Sequence, residues 1–188
     1  IDLFTTQTGT FGDAVEHVVG ALRAAGYAVE QTRRSSAFCR LAVSGPAHTI
    51  EVDMGVDWRK NDPAQLEIGP VLSIDDAVGN KVAALFSRGE PRDYLDVDTI
   101  RRTGRFTDDE LIAAAAERDL GSDLRLFVES LRRGRLITMV DVERYGVTAG
   151  ELGAVVDRMQ SWATELANTH ALQDEPGFRM SQQGTTEA

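Results

Sequence analysis

The stretch "KVAALFSRGEPRDYLDVDTI", residues 81–100, holds two helical patterns around one break. Before the break, Lys81, Leu85 and Arg88 recur at i, i+4 and i+7 and share a helix face. Gly89 stops that helix, and Pro91 opens the next at a first-turn position, where its missing N–H costs nothing. After the break, Asp93 and Asp96 share a face with Val97 and Ile100. Two acids thus lie on or beside an apolar stripe, where a surface helix normally keeps its charges on the other side. One account is structural: Asp93 complements the helix dipole and Arg92 pairs with Asp96. The other is that the acids and the Lys/Arg face serve a site.

Downstream the chain stays helical. "TDDELIAAAAERD" opens with Thr107 and Glu110 in capping-box spacing. "SDLRLFVESLRRG" reads as a further helix, and "LITMVDVERYG" is ambiguous. A long helix begins at a second capping box, Thr148 and Glu151. Upstream, "SIDDAVGN" supplies an N-cap Ser73 and first-turn acids.

Further upstream the period changes. "IDLFT" reads as a strand, and a helix follows from about Thr10 to Ala25, with Phe11, Val15, Val18, Val19 and Leu22 on one face and Gly26 at its end. "YAVEQT", "AFCRLAVSG" and "HTIEVDMGVD" are β-branched and aromatic segments broken by Ser, Gly and Pro, which marks three strands. "QLEIGPVLSI" is a short strand or a loop. The expected fold class is α+β: an α/β lobe over 1–72, a helical lobe over 73–172, and a disordered polar tail over 173–188. Two lobes imply a cleft between them, a common place for ligands.

Composition narrows the function. The chain has 188 residues and a formal net charge of −10, which disfavours nonspecific adhesion to nucleic acid or anionic membrane. Positive charge still clusters at Arg33-Arg34, Arg59-Lys60, Arg101-Arg102 with Arg105, and Arg132-Arg133 with Arg135. No apolar run approaches the roughly 20 residues of a membrane span. Cys39 is the one cysteine, so a reducing cytoplasm is expected. Phosphate-loop, dinucleotide and nucleophile-elbow motifs are absent, and His17, His48 and His170 are scattered. Carboxylates and Lys/Arg remain as the available chemistry.

In "TIEVDMG", Ile50, Val52 and Met54 point one way, and Glu51 and Asp53 the other. Asp2 lies on the first strand. Acids inside strands are costly unless solvated, paired or bound to metal. Carboxylates side by side on two strands suit Mg²⁺, which takes a few hard oxygen ligands plus substrate phosphates. A half-exposed sheet face with alternating charge accounts for Glu51 and Asp53 equally well.

Lys81, Ala84, Leu85, Arg88, Arg92, Asp93, Asp96 and Ile100 stand in register with K-x-x-A-L-x-x-R-x-x-x-R-D-x-x-D-x-x-x-(aliphatic). This resembles the signature of the AbiEii/AbiGii-type nucleotidyltransferase toxins, which include the mycobacterial MenT toxins. "IDLF" is similar to the end of that family's R-x-S-x-D-[IL]-D-L-F segment, and "TIEVDMG" to its later acid-bearing strand. The likeness covers approximately residues 1–105. It implies a polymerase-β-like nucleotidyltransferase lobe followed by a helical lobe. It implies that the first acid of the D-x-D pair and a Gly-Ser strand-turn-helix precede Ile1, so that the chain is a fragment; the other reading is a degenerate copy.

The resemblance implies catalytic roles for Asp2, Lys81 and Asp96, and nucleotide contacts from Lys81, Arg88 and Asp93. Asp2 and Asp53 become ligands of Mg²⁺ in a two-metal arrangement. The donor is an NTP, with CTP or UTP expected, and the acceptor a tRNA 3′ end, whose blocking arrests translation. The basic clusters become candidate RNA phosphate contacts. A cognate antitoxin is the expected protein partner. Two other readings remain: an inactive nucleotidyltransferase-like binding module, and a small-molecule, antibiotic-type nucleotidyltransferase.

Overall fold

The computed structural model describes residues 1–118 and 123–170. The expected disordered tail at 173–188 lies outside these, as do the last residue of "TDDELIAAAAERD" and the first of "SDLRLFVESLRRG". The chain divides into two units, Ile1–Val71 and Leu72–Ala188.

The first unit runs β1 (Asp2–Thr5), α1 (Phe11–Ala24), β2 (Ala28–Arg34), β3 (Phe38–Ser44) and β4 (Thr49–Val56), then the hairpin β5 (Ala64–Leu66) and β6 (Gly69–Val71). The segment that read as strand or loop is thus a two-stranded hairpin, turned at Gly69 with φ +112°. The main sheet has the order β1-β4-β3-β2. β1 runs parallel to β4, and the other neighbours are antiparallel. Helix α1 covers one face: its 3.6-residue period brings Phe11, Val15 and Val19 onto Cys39, Leu41 and Val43 of β3 and Val52 and Met54 of β4. Each such side chain contributes about 1.5–3 kcal/mol by leaving water. Gly26, at φ +90°, ends α1 in a conformation that side chains with a Cβ resist. The strict alternation in β3 sends Phe38, Arg40 and Ala42 to the opposite face.

The second unit is helical among the described residues: α2 (Ile74–Ser87), α3 (Pro91–Arg102), α4 (Asp108–Ala116), α5 (Leu124–Arg133), α6 (Met139–Val142) and α7 (Ala149–Thr169). The ambiguous segment resolves into the single turn of α6 between two 3₁₀ turns. Ser73 Oγ accepts the Asp76 N–H at 3.1 Å, and both expected capping boxes form, Thr107 with Glu110 and Thr148 with Glu151. The core gathers Val82, Leu85, Tyr94, Val97, Leu111, Leu131, Met159 and Trp162. Two acids are buried within this unit: Asp76, which reads as a first-turn acid of α2, and Asp98, which the sequence reading did not single out. Asp76 pairs with Arg118 at 2.6 Å, and Asp98 with Arg158 at 2.6 and 2.8 Å. Among the described residues no helix is long and apolar enough to cross a membrane.

Candidate active site

The first constellation lies on the sheet face turned away from α1. The parallel register of β1 and β4 makes Asp2 the direct partner of Asp53. Paired residues on neighbouring strands point to the same face, about 4.8 Å apart along the ladder. The chain therefore brings its two sequence-predicted metal ligands side by side. Asp2 is exposed and accepts no hydrogen bond or ion pair among the described residues. Asp53 is half-buried, and its carboxylate is engaged.

That partner is Arg40, which sequence reading missed. The register continues across the sheet: Arg40 of β3 faces Asp53, and Arg33 of β2 faces Arg40. Arg40 Nε donates to Asp53 Oδ1 and Nη2 to Oδ2, each at 2.7 Å, a bidentate fork. Glu51 comes within 3.8 Å of the same guanidinium. The hydrogen bond to Asp53, then the charges of Asp53 and Glu51, raises the Arg40 pKa above its ordinary value, so this charge is permanent. The only sequence signal was parity: in "AFCRLAVSG" the Arg falls between two buried positions. Which β4 acid it would meet was fixed by register alone.

Beside this charged row lies an aromatic one. Phe38 faces Gly55, and Gly55 faces Phe4. The Arg33 guanidinium lies 5.4 Å from the Phe38 ring centroid, and that of Arg59 lies 6.0 Å from Phe4. Such cation–π pairs on an open face offer both stacking surface and positive charge.

The second constellation spans α2 and α3. Lys81 Nζ donates to Asp96 Oδ2 at 2.6 Å. Arg88 Nε and Nη2 donate to the Asp93 carboxylate at 2.9 and 2.8 Å. The two rungs differ in exposure. Lys81 and Asp96 are 47% and 40% exposed, whereas Asp93 is fully buried. Asp93 also accepts the Glu90 N–H at 3.0 Å and completes a capping box at the start of α3. Its oxygens are thus committed to holding the corner between the helices. The alternative pairing of Arg92 with Asp96 is not made; Arg92 reaches Glu90 at 3.2 Å instead. Its i+4 partner is claimed by Lys81, which approaches from the neighbouring helix.

Several candidate phosphate contacts have partners within the chain. Arg34 bonds Glu16 and Gln31 at 2.6 and 2.8 Å. Arg101 forks onto Asp108 and lies 4.4 Å from the centroid of Trp162. Arg132 bonds Glu129, and Arg133 bonds Ser130. A cavity of about 520 Å³ beside α3 and α7 is lined by Asp98, Arg102 and Arg158; it takes in Arg102, one of the candidate phosphate contacts, but none of the candidate catalytic, nucleotide-binding or metal residues.

The residues on the sheet fit one hard cation. Asp2 and Asp53 are adjacent, and Asp2 is exposed. Among the described residues no group of three or more His, Cys, Asp or Glu could hold a metal ion. These residues thus offer two carboxylates, and a shell completed by water and substrate phosphates is the habit of Mg²⁺.

The model of a family described as nucleotidyl transferase AbiEii toxin, type IV toxin–antitoxin system, matches residues 1–164. The chain is similar in structure to MenT4, a nucleotidyltransferase toxin from Mycobacterium tuberculosis H37Rv. The TM-score is 0.56 at 18% identity, over 92% of this chain and 72% of the other. At that identity the likeness speaks for the fold: a mixed sheet with helices, followed by a helical lobe. None of the curated proteins matches.

Proposed function

The chain belongs to the AbiEii family of nucleotidyltransferase toxins, and from that premise we propose that it transfers pyrimidine nucleotides from CTP or UTP to the 3′ end of tRNA, with Mg²⁺ held by Asp2 and Asp53. Its activity is nucleotidyl transfer from an NTP, and the toxin–antitoxin setting gives it an antitoxin as partner. The observation that best supports the finer reading is the register that sets Asp2 beside Asp53 on parallel strands.

Mg²⁺ bound there would supply Lewis-acid polarisation and charge neutralisation at phosphate oxygens. The protein's own share is alignment and electrostatics, since phosphoryl-type transfer asks little covalent chemistry of it. Lys81 serves as a mobile point charge for triphosphate oxygens. Asp96, 2.6 Å from Nζ, positions that ammonium while leaving its other protons to the substrate. Arg88 is pinned by Asp93 and keeps its exposed edge for phosphate. Arg33, Arg105 and Arg135 are the basic side chains we assign to the RNA backbone.

The test is incubation of the full-length protein with each labelled NTP and total tRNA. Label from CTP or UTP should appear on tRNA, vanish with EDTA and return with Mg²⁺. Lys81→Ala and Asp96→Ala should each abolish it. Labelling at the wild-type rate by either variant would refute the site, and EDTA-resistant turnover would refute the metal.

A further inference from the structure

We propose that Arg40 is an exchangeable counter-ion of the metal site: it occupies Asp53 while the site lacks a divalent cation, and passes to a nucleotide phosphate when metal and triphosphate arrive. The inference rests on the reading of Asp2 and Asp53 as the metal-binding pair.

Three features carry it. First, the fork takes both Asp53 oxygens at 2.7 Å, the place a cation would otherwise claim. Second, Arg40 is a guanidinium bonded among three carboxylates, Asp2, Glu51 and Asp53. The arrival of a divalent ion sets like charges together and weakens the hold on Arg40. Third, Arg33 stands opposite Arg40 on the neighbouring strand. Its guanidinium lies over the Phe38 ring, 5.4 Å from the centroid, and leaves Arg40 as the side chain paired with the acids. A planar guanidinium recognises phosphate in the same two-pronged way as it recognises carboxylate. No bond is made or broken in this exchange; one ionic partner replaces another.

The arrangement couples the ligands. Metal alone must displace Arg40 from its fork and leave it only the single, longer approach to Glu51 at 3.8 Å, so its binding is weak. A triphosphate supplies that receiver, so each ligand strengthens the other reciprocally.

Mn²⁺ binding followed by electron paramagnetic resonance, with and without a non-reactive CTP analogue, tests this without any turnover. Wild-type protein should bind Mn²⁺ weakly alone and more tightly with the analogue. Arg40→Gln should bind Mn²⁺ alone about three- to tenfold more tightly, bind the analogue more weakly, and lose most of the coupling. Arg40→Lys keeps the charge without the fork and should fall between the two. Circular dichroism shows whether each variant is folded; Arg40 is on the open face, outside the core. Unchanged or weaker Mn²⁺ affinity in folded Arg40→Gln, with coupling intact, would overturn the proposal while leaving the metal site standing. Equal Mn²⁺ binding by wild type and the Asp2→Asn/Asp53→Asn double variant would remove the metal reading itself, and this inference with it.

Discussion

Replacing Asp93 by Ala separates an acid that holds the helix corner from the proposed site acid, Asp96, three residues away. Asp93 is fully buried and accepts two hydrogen bonds from Arg88 and one from the Glu90 N–H. Losing charge-assisted bonds of this kind costs about 1.5–3 kcal/mol, and losing the capping contact about 1 more. Removing one partner of a wholly buried pair costs about 3–5 kcal/mol, but Arg88 can recover water at its exposed edge. The net expectation is about 2–4 kcal/mol, or about 5–15 °C in Tm for a chain of this size. Asp96→Ala removes a carboxylate whose pair with Lys81 is largely open to solvent, so the loss is about 0–1 kcal/mol. Urea unfolding followed by the fluorescence of Trp162, buried in the same unit, reads both. Asp93→Ala should shift the midpoint strongly. Asp96→Ala should barely shift it, yet abolish nucleotide transfer. An Asp93→Ala midpoint within about 0.5 kcal/mol of wild type would refute the structural role, as would an equal loss in both variants.

Two further outcomes test the helical unit. Gly79→Ala should destabilise by about 1–3 kcal/mol although Ala is the better helix former, because its Cβ would overlap the Arg118 guanidinium that bonds Asp76 and Asn80; thermal unfolding measures it, and a stabilised variant would contradict the packing. The capping-box acids Glu110, Asp141 and Glu151 are held below their ordinary values by the backbone N–H and then the hydroxyl of Thr107, Thr138 and Thr148. A depressed acid stabilises fully above its unfolded value, 4.5 for Glu and 3.8 for Asp, and loses that contribution as pH falls from there through its lowered folded value. Urea midpoints should therefore drop as pH falls from about 5 to 3, less steeply in Glu110→Gln/Glu151→Gln, and parallel curves would exclude the caps as the cause.

Much of this protein is written locally. Periodicity, caps and breakers placed α1, the three long strands and the helices α2, α3, α4 and α7, because each signal acts within one turn or one strand. The segment after Gly134 gave no clear period, since a four-residue helix between 3₁₀ turns is shorter than the window a period needs. The acids of the motif were legible, but their division of labour was not. Asp93 and Asp96 occupy similar places on a helical wheel, and only packing against α2 buries one and leaves the other half open. Asp76 read as a helix-dipole acid, and its burial depends on Arg118, 42 residues away.

The sheet shows the same limit most sharply. By itself the sequence determined that Asp2, Arg40 and Asp53 lie on strands, and that Arg40 and Asp53 each alternate with core residues. Strand register decided the rest: it set Arg33, Arg40, Asp53 and Asp2 in one row. Alternation fixes which face a side chain takes, whereas its neighbour across the ladder depends on pairing between segments up to 51 residues apart. A shift of one residue would turn the row's side chains into the core, and the burial of Leu41, Val52 and Met54 against α1 is what forbids that shift.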